Sequence, residues 1–470
     1  MNPTDRSWLS TVMTPEKVPT FDFTEYGTPV PEWQAFVAHH PEKGRTAKIP
    51  ADETVAQMQL QSRENEERSE QSRSNIEAKG LEDNVTVRDT EIRGGASDQE
   101  RLTARVYTRN TREDELRLDK VPGVVYYHGG GYVFGTPDTE RYLCSLLASR
   151  LRVVVVHICY RQALQHPHPA AHEDGKDGFE WVVENAERFG IDPAQIVVVG
   201  LSAGAAIAAS TTLRVCNEDA KERQTGTSPR PGKRKRTDDG KEGSEQGTEP
   251  PEDDIPGGTL PDDKVVDRSC STAGRVKPKG RIKGLLLIVP WLLQENAFPY
   301  HLFRSREGTS RVQCAQPPST SKAVYDQISG MLAAQDKSDP LLNVPLVTDE
   351  ELQRFPRTAF MIAGMDFFRD DGLILAEKLR VLGVPRRVHM FHGLPHDFRE
   401  YEELWASKRF DELFLLLINW ALERTISSTD VGFHVEQRPE HPELKNQECK
   451  TQGPPYVPRN TQTDQPLKRN

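Results

Sequence analysis

This 470-residue chain is poor in several features, and each shortage argues against a class of protein. Its six cysteines show no Cys-x-x-Cys pair and no Cys/His spacing, so we expect reduced thiols and neither a disulfide framework nor a metal site. No run of about 18 apolar residues occurs, so no membrane-spanning helix is expected. Acidic residues outnumber basic ones, 71 to 61, and this negative balance disfavours binding to nucleic acid phosphates.

Apolar residues are also scarce, at 36% of the chain, so one large domain with polar appendages is expected. Residues 216–283 are rich in proline, glycine and charge and are predicted to be a disordered insertion. Residues 425–470 are predicted to be a disordered tail for the same reason. Residues 1–80 form an N-terminal cap and polar segment, in which the charged stretch 61–75 is either disordered or an exposed helix. The core is then expected at 81–215 and 284–424.

Short β-rich apolar runs occupy this core region. They lie at 85–92, 102–108, 123–129, 152–160, 196–200, 284–291, 358–364 and 386–393, which predicts eight strands. Amphipathic stripes alternate with the later runs, one through Phe179 and Val182 and another through Phe410 and Leu417. Continuous apolar strands between amphipathic helices indicate an α/β fold, with a mostly parallel sheet and helices on both faces.

A serine flanked by two glycines lies where a strand pattern gives way to a helix pattern. Gly200-Leu201-Ser202-Ala203-Gly204 matches G-x-S-x-G, with four β-branched residues before it and an alanine-rich stretch after it. A sharp strand-to-helix turn exposes the serine hydroxyl at the carboxyl edge of the sheet. The motif therefore makes Ser202 a candidate nucleophile, whereas a plain glycine turn is the less favoured alternative.

A second motif, His128-Gly129-Gly130-Gly131, follows the third predicted strand. Consecutive glycines cost backbone entropy but let main-chain N–H groups approach a developing negative charge closely. The loop is thus a candidate oxyanion hole, and a flexible loop is the alternative. His128 itself is expected to hold the shape of the loop, with Gly129 as further support, because an imidazole there is better placed for hydrogen bonding than for catalysis.

The two motifs, about seventy residues apart with "YRQALQHPHPAAHED" at 160–174 between them, resemble the hormone-sensitive-lipase-like branch of the α/β-hydrolases. This branch includes arylacetamide deacetylases and bacterial carboxylesterases, and the resemblance covers 85–424 without the insertion. The third segment departs from the family's usual pattern, with Leu164 in place of proline and Gln165 in place of glutamate. The resemblance implies an α/β-hydrolase fold and a helical cap, drawn from the insertion at 292–345 and the segment "PEWQAFVAHH" near the N-terminus.

In this fold the nucleophile is followed along the chain by an acid and then a histidine. Asp366 follows the seventh predicted strand and His396 the eighth, so the expected catalytic set is Ser202, Asp366 and His396. His392 is kept as the fallback base, and His389 is interpreted as a packing residue. Asp370 and Asp371 are assigned to the first turn of a helix, where acidic side chains favour the helix dipole.

These residues predict a serine carboxylesterase that acts on a small-molecule ester and needs neither cofactor nor metal. The oxyanion is expected to be held by the N–H groups of Gly130, Gly131 and Ala203. Two alternatives stay open: an amide, lactone or thioester hydrolase, and a non-catalytic binding member of the fold. The oligomeric state is left open. A cytoplasmic location is expected, with nuclear import as the less favoured interpretation of the basic run Lys233–Arg236.

Overall fold

The computed structural model describes residues 21–44, 54–93, 101–110, 120–225, 282–316, 321–424 and 432–438. The strands are β1 (Val85–Arg93), β2 (Arg101–Arg109), β3 (Val121–Tyr127), β4 (Val154–Cys159), β5 (Ile191–Leu201), β6 (Ile282–Ile288), β7 (Arg357–Ala363), β8 (Arg386–Phe391) and β9 (Phe433–Glu436). The helices are α1 (Pro31–His39), α2 (Thr54–Ala78), α3 (Arg141–Arg150), α4 (Ala170–Glu184), α5 (Ala203–Thr225), α6 (Ser310–Gln313), α7 (Lys322–Met331), α8 (Asp349–Leu352), α9 (Arg369–Val381) and α10 (Trp405–Ala421). The α/β class predicted from the sequence is confirmed.

The strands form a single sheet in the order β1-β2-β4-β3-β5-β6-β7-β8-β9. Strands β1, β2 and β4 pair antiparallel, and from β4 to β9 every neighbouring pair is parallel. The carboxyl ends of β5, β7 and β8 therefore lie at one edge of the sheet, which is where an open α/β sheet binds its ligands. This topology brings together chain segments that are far apart in the sequence.

Hydrophobic side chains cover both faces of the sheet, because alternate residues of a strand point to opposite faces. In β3, Val125 and Tyr127 join one buried cluster, with helices α4, α5 and α9, whereas Val124 and Tyr126 join the other, with α3 and α10. Since both faces are buried, the strands appear in the sequence as continuous apolar runs rather than as alternating patterns.

The N-terminal charged stretch is helical throughout, as one of the two interpretations of residues 61–75 expected. Helix α2 carries few apolar side chains, and a polar stripe attaches it to the domain. Asn65 accepts a hydrogen bond from the amide of Gly135 at 2.7 Å, and Ser72 accepts one from the amide of Tyr142 at 2.8 Å. Polar contacts on one helix face thus supplement the buried apolar side chains of Leu60 and Ile76, which are too few to form the stripe that usually docks a helix.

Two boundaries differ from the sequence-based expectation. Helix α5 continues to Thr225, ten residues into the predicted insertion 216–283, because alanines and polar helix formers follow one another without a break. The sheet has nine strands rather than eight, and the additional strand β9 lies inside the predicted tail 425–470. Strand β9 has only four residues and forms no continuous apolar run, so a search of the sequence for strand patterns does not detect it.

Strand β9 is fixed to the domain through Glu436. This carboxylate is bonded to His389 Nδ1 at 2.7 Å and to Arg409 Nε at 2.9 Å. The contacts lower the pKa of Glu436 to about 2, although burial opposes the shift. Strand β6 begins at Ile282, inside the predicted insertion. Residues 226–281, including the basic run 233–236, and residues 425–431 and 439–470 of the tail lie outside the described residues. Within the part that is described, no helix is long and apolar enough to cross a membrane.

Candidate active site

Ser202 occupies the sharp turn between β5 and α5. Its backbone adopts a positive φ of 54°, and its amide donates to the carbonyl of Ile288 at 2.8 Å. A Cβ on Gly204 would lie 2.3 Å from the carbonyl oxygens of His128 and Tyr127, so only glycine allows the helix to begin this close to β3. The strain at Ser202 and the close approach at Gly204 are the features expected of a nucleophile turn.

The glycine loop after β3 lies beside this turn. Gly130 and Gly131 line the same cavity as Ser202. Gly130 has a φ of 117°, a conformation that side chains disfavour, and its carbonyl accepts from the amides of Val133 and Phe134. Among the described residues, the amides of Gly130 and Gly131 have no backbone acceptor in this loop. The loop can therefore offer N–H groups to a ligand.

Ala203 is fully buried and is the first residue of helix α5. The first amides of a helix have no acceptor within it and carry the positive end of the helix dipole. This position suits the third expected donor to an oxyanion.

His396 connects Ser202 with Asp366, as the sequence expects. Its Nε2 lies 2.9 Å from Ser202 Oγ, and its Nδ1 lies 2.7 Å from Asp366 Oδ2. The other carboxylate oxygen of Asp366 accepts from the amide of Phe368 at 2.9 Å, which fixes the carboxylate in place. Burial disfavours protonation of His396, but the charge and hydrogen bond of Asp366, with smaller contributions from Asp397 and Glu400, together outweigh burial, so the pKa of His396 is raised above its ordinary value. The imidazole is thus suited to accept a proton and to be stabilised after it does so.

The rival histidines point elsewhere. His392, the fallback base, faces the carbonyl of Glu25 at 2.8 Å and the amide side chain of Gln437 at 2.9 Å. His389 is buried and stacks on His434 of strand β9, in keeping with a packing role. His396 is therefore the histidine that the structure places next to Ser202.

Asp370 and Asp371 form buried ion pairs in addition to lying at the start of a helix. The sequence-based interpretation, which assigned them only a favourable interaction with the helix dipole, is corrected in this respect. Asp371 pairs with Arg311 at 2.7 Å, and both side chains are fully buried. Asp370 pairs with Arg369 at 2.7 Å and accepts from the amide of Ser310 at 2.6 Å. A buried carboxylate needs a partner of this kind, so their role is to join helices α6 and α9.

His128 lies behind the glycine loop. Its ring stacks on Tyr160 at 4.2 Å between centroids, and its Nδ1 lies 2.9 Å from Nε2 of His157. The hydroxyl of Tyr160 donates to the carbonyl of His128 at 2.8 Å. Burial lowers the pKa of His128, and it lowers the pKa of His157 to about 4, so both rings are neutral near pH 7. These contacts fit the loop-holding role expected for His128.

Cys159 joins this histidine pair to form a group that the sequence did not indicate. Ligand atoms of His128, His157 and Cys159 lie within 4.8 Å of one another, and these side chains are of types that bind zinc. The group arises because β3 and β4 are neighbours in the sheet, so no sequence spacing could signal it.

A cavity of about 230 Å³ opens over Ser202. Its apolar lining consists of Leu60, Phe134, Leu201, Ile288, Val289, Trp291, Val324, Tyr325, Ile328, Phe368, Phe398 and Phe410. Helix α7, within the insertion 292–345 expected to form part of the cap, contributes Val324, Tyr325 and Ile328. A small apolar cavity next to a nucleophile suits an ester with a modest apolar group.

The cap differs in part from the expectation. No residue of the segment 31–40 lines the cavity; helix α1 packs instead through Trp33 and Phe36 in the cluster that includes α10. Phe298 and Phe303 form a separate small cluster with Ile374. Helix α2, whose charged sequence gave no such signal, covers the site through Leu60, Glu64 and Arg68.

The comparisons with known proteins agree with the fold. Residues 124–252 and 267–400 match the family model described as alpha/beta hydrolase fold. The chain is 26% identical over 306 residues to versiconal hemiacetal acetate esterase of Dothistroma septosporum, covering 64% of this chain and 74% of that protein. It is 26% identical over 300 residues to Lipase 2 of a Moraxella species, covering 63% of this chain but only 59% of that lipase. The solved structure of vibralactone cyclase superposes with a TM-score of 0.64 at 19% identity, covering 86% of this chain and 97% of that chain.

Proposed function

This chain belongs to the α/β-hydrolase fold family and is a hydrolase of the carboxylesterase type, and from that premise we propose that it cleaves carboxylic esters through an acyl-enzyme on Ser202. The observation that carries the proposal is the pair of contacts at His396, 2.9 Å to the serine hydroxyl and 2.7 Å to Asp366. A hydroxyl at its ordinary pKa is a weak nucleophile, so a base in contact with it and an acid in contact with the base are required.

In the first half of the reaction, His396 takes the proton of Ser202 as Oγ attacks the ester carbonyl. The carbonyl oxygen becomes an oxyanion, which the N–H groups of Gly130, Gly131 and Ala203 stabilise. Asp366 holds the imidazole in the required tautomer and balances the charge of the imidazolium. His396 then returns the proton to the leaving alcohol.

In the second half, a water molecule loses a proton to His396 and attacks the acyl group on Ser202. The acid is released and the serine hydroxyl is restored. Every proton passes through His396, so the reaction needs no group beyond the side chains and amides named. The apolar lining of the cavity supports substrates with small or medium apolar groups.

The experiment that tests this function is turnover of p-nitrophenyl acetate and butyrate by the wild-type protein and by Ser202→Ala. We expect the substitution to lower kcat by about 10⁴-fold or more, because it removes the nucleophile. Ser149→Ala provides a matched control, since among the described residues Ser149 Oγ donates to a carbonyl of its own helix, that of Leu146, and it does not line the cavity. Turnover by Ser202→Ala at the wild-type rate would contradict the proposal.

A further inference from the structure

One wall of the cavity is charged, in contrast to its apolar remainder. Glu64 on helix α2 lines this wall, as do Asp397 and Glu400 on the segment just after the catalytic histidine. Arg68 and Arg399 line it as well. Within the described residues, the carboxylates of Glu64 and Glu400 form neither a hydrogen bond nor an ion pair. Two carboxylates of the wall are therefore available to a ligand.

The two guanidiniums of the wall are already occupied. Arg68 pairs with Glu140 at 2.7 Å, and Arg399 pairs with the same carboxylate at 3.1 Å. The side chain of Glu140 is fully buried and also accepts a hydrogen bond from Tyr126 at 3.2 Å. Glu140, which does not line the cavity, thus occupies both guanidiniums, while three carboxylates and two guanidiniums line the cavity itself.

The surroundings of Glu64 reflect this imbalance. Burial raises the pKa of Glu64, and the negative charges of Glu67 and Glu400 raise it further, whereas Arg63 and Arg68 oppose the rise. The pKa is raised because burial and the like charges together outweigh these two cations. A cation placed beside Glu64 would stabilise the ionised carboxylate, and the carboxylate would attract the cation.

The position of the wall indicates which part of an ester it meets. In the reaction proposed above, His396 gives its proton to the oxygen of the leaving alcohol, so the alcohol portion lies on the His396 side of the cavity. Asp397 and Glu400 lie one and four residues after His396, line the cavity, and are close enough for their charges to act on the imidazole.

We propose that this wall selects esters whose alcohol portion carries a positively charged nitrogen. The inference rests on the serine-hydrolase function proposed above and adds a substrate class to it. Selection arises because the cation meets the half-buried carboxylate of Glu64, together with the exposed carboxylate of Glu400. Opposite charges attract more strongly in a partly desolvated cavity than in bulk water. A neutral group of the same shape gains no such attraction.

The test compares acetylcholine with 3,3-dimethylbutyl acetate, which has the same shape but carbon in place of the charged nitrogen. We expect the wild-type protein to show a kcat/KM for acetylcholine on the order of fivefold higher at low ionic strength, the size of effect that one half-exposed ion pair supports. Glu64→Gln and, separately, Glu400→Gln should lower this ratio toward one. Sodium chloride at about 0.5 M should also lower it, because salt screens exposed charges.

Glu66→Gln is the matched control, since Glu66 lies on the same helix but is exposed and does not line the cavity. It removes the same charge from α2 and should leave the ratio unchanged. A wild-type ratio of one or less, or a ratio that neither Glu64→Gln nor Glu400→Gln alters, would overturn the inference. Turnover of the neutral ester without charge preference would leave the proposed function standing, whereas turnover of neither ester, nor of p-nitrophenyl acetate, would overturn both.

Discussion

Ser202, Asp366 and His396 are separated by up to 194 positions in the chain, yet their side chains form one hydrogen-bonded series. Each follows the carboxyl end of a different parallel strand, so the sheet itself brings them together. The carboxylate is almost completely buried, at 1% exposure, and this increases its influence on the imidazole. In the proposed reaction, transfer of the serine proton to His396 depends on the pKa of His396.

The pH dependence of kcat/KM should report that pKa. Protonated His396 cannot accept the serine proton, so activity falls as the pH falls through the pKa of His396. Because Asp366 raises this pKa, we expect the acid limb above pH 6.5, the ordinary value of histidine. Asp366→Asn should lower kcat by about 10⁴-fold, through loss of the tautomer, and should move the residual acid limb to lower pH. Hydrolysis of p-nitrophenyl acetate between pH 5 and 9 measures both effects.

Asp397→Asn is the control for that experiment, since it removes a neighbouring charge that contributes less to the pKa of His396 than Asp366 does. It should shift the acid limb less and leave far more of the activity. A limb below pH 6.5 in the wild-type protein, or a greater loss from Asp397→Asn than from Asp366→Asn, would contradict this account.

The sequence predicted a functional residue where that residue lies in a turn with a restricted backbone conformation. Ser202 and Gly130 lie in glycine-rich turns whose conformations few other residues accept, so local sequence reveals them. No such sequence signal accompanies Glu64 and Arg68, because charged residues on a polar helix usually indicate a solvent-exposed face. Their position in the cavity depends on how helix α2 docks, which is a tertiary property.

At the scale of elements, helix α9 and the short helix α6 are joined by buried charge. The guanidinium of Arg311 donates to Asp371 at 2.7 Å and to the carbonyl of Leu293 at 3.0 Å, and it also bonds the carbonyl of Phe367. Asp371 in turn accepts from the amides of Leu292 and Leu293. Phe367 is the residue after Asp366, so this network supports the turn that presents Asp366 to His396.

Arg311→Ala should destabilise the protein by about 3–5 kcal/mol, because it leaves the buried carboxylate of Asp371 without its cation. Urea unfolding followed by circular dichroism measures the loss. Arg380→Ala is a control on helix α9, since Arg380 pairs with Glu377 at the surface and should contribute less than about 1 kcal/mol. Equal losses from the two substitutions would rule out a special role for the buried pair.

Helix α2 shows why some elements escape sequence analysis. Its contacts with the domain run through Gln61, Asn65, Arg68 and Ser72, spaced three or four residues apart as on one helix face. This spacing is the one expected for a helix that packs through one face. Because the contacting residues are polar, a search for hydrophobic periodicity does not find them. The strands of the core were predictable because burial on both faces requires continuous apolar runs.

At the scale of the whole molecule, the sheet ends at β9 rather than at β8. The added strand pairs with β8 from Val388 to Phe391 and covers main-chain groups that would otherwise form an open edge. Its own outer side chains, Phe433 and Val435, are exposed. The segment after the last helix thus completes the sheet, which the predicted disordered tail did not anticipate.

Deletion of residues 432–470 should expose the edge of β8 and promote self-association, since an unpaired strand edge is a template for pairing with another chain. Size-exclusion chromatography with light scattering measures the change in mass with concentration. Deletion of 439–470 keeps β9 and should behave like the full chain. Equal masses for the two truncated proteins at every concentration would show that β9 does not protect the edge.

The account as a whole depends on an activated hydroxyl at position 202. Its most direct test is labelling of the intact protein with a fluorophosphonate probe, followed by mass spectrometry of the modified peptide. We predict one equivalent of probe on Ser202, no labelling of Ser202→Ala, and strongly slowed labelling of His396→Ala. Absence of labelling in the wild-type protein, or modification at another serine with Ser202 intact, would contradict the account.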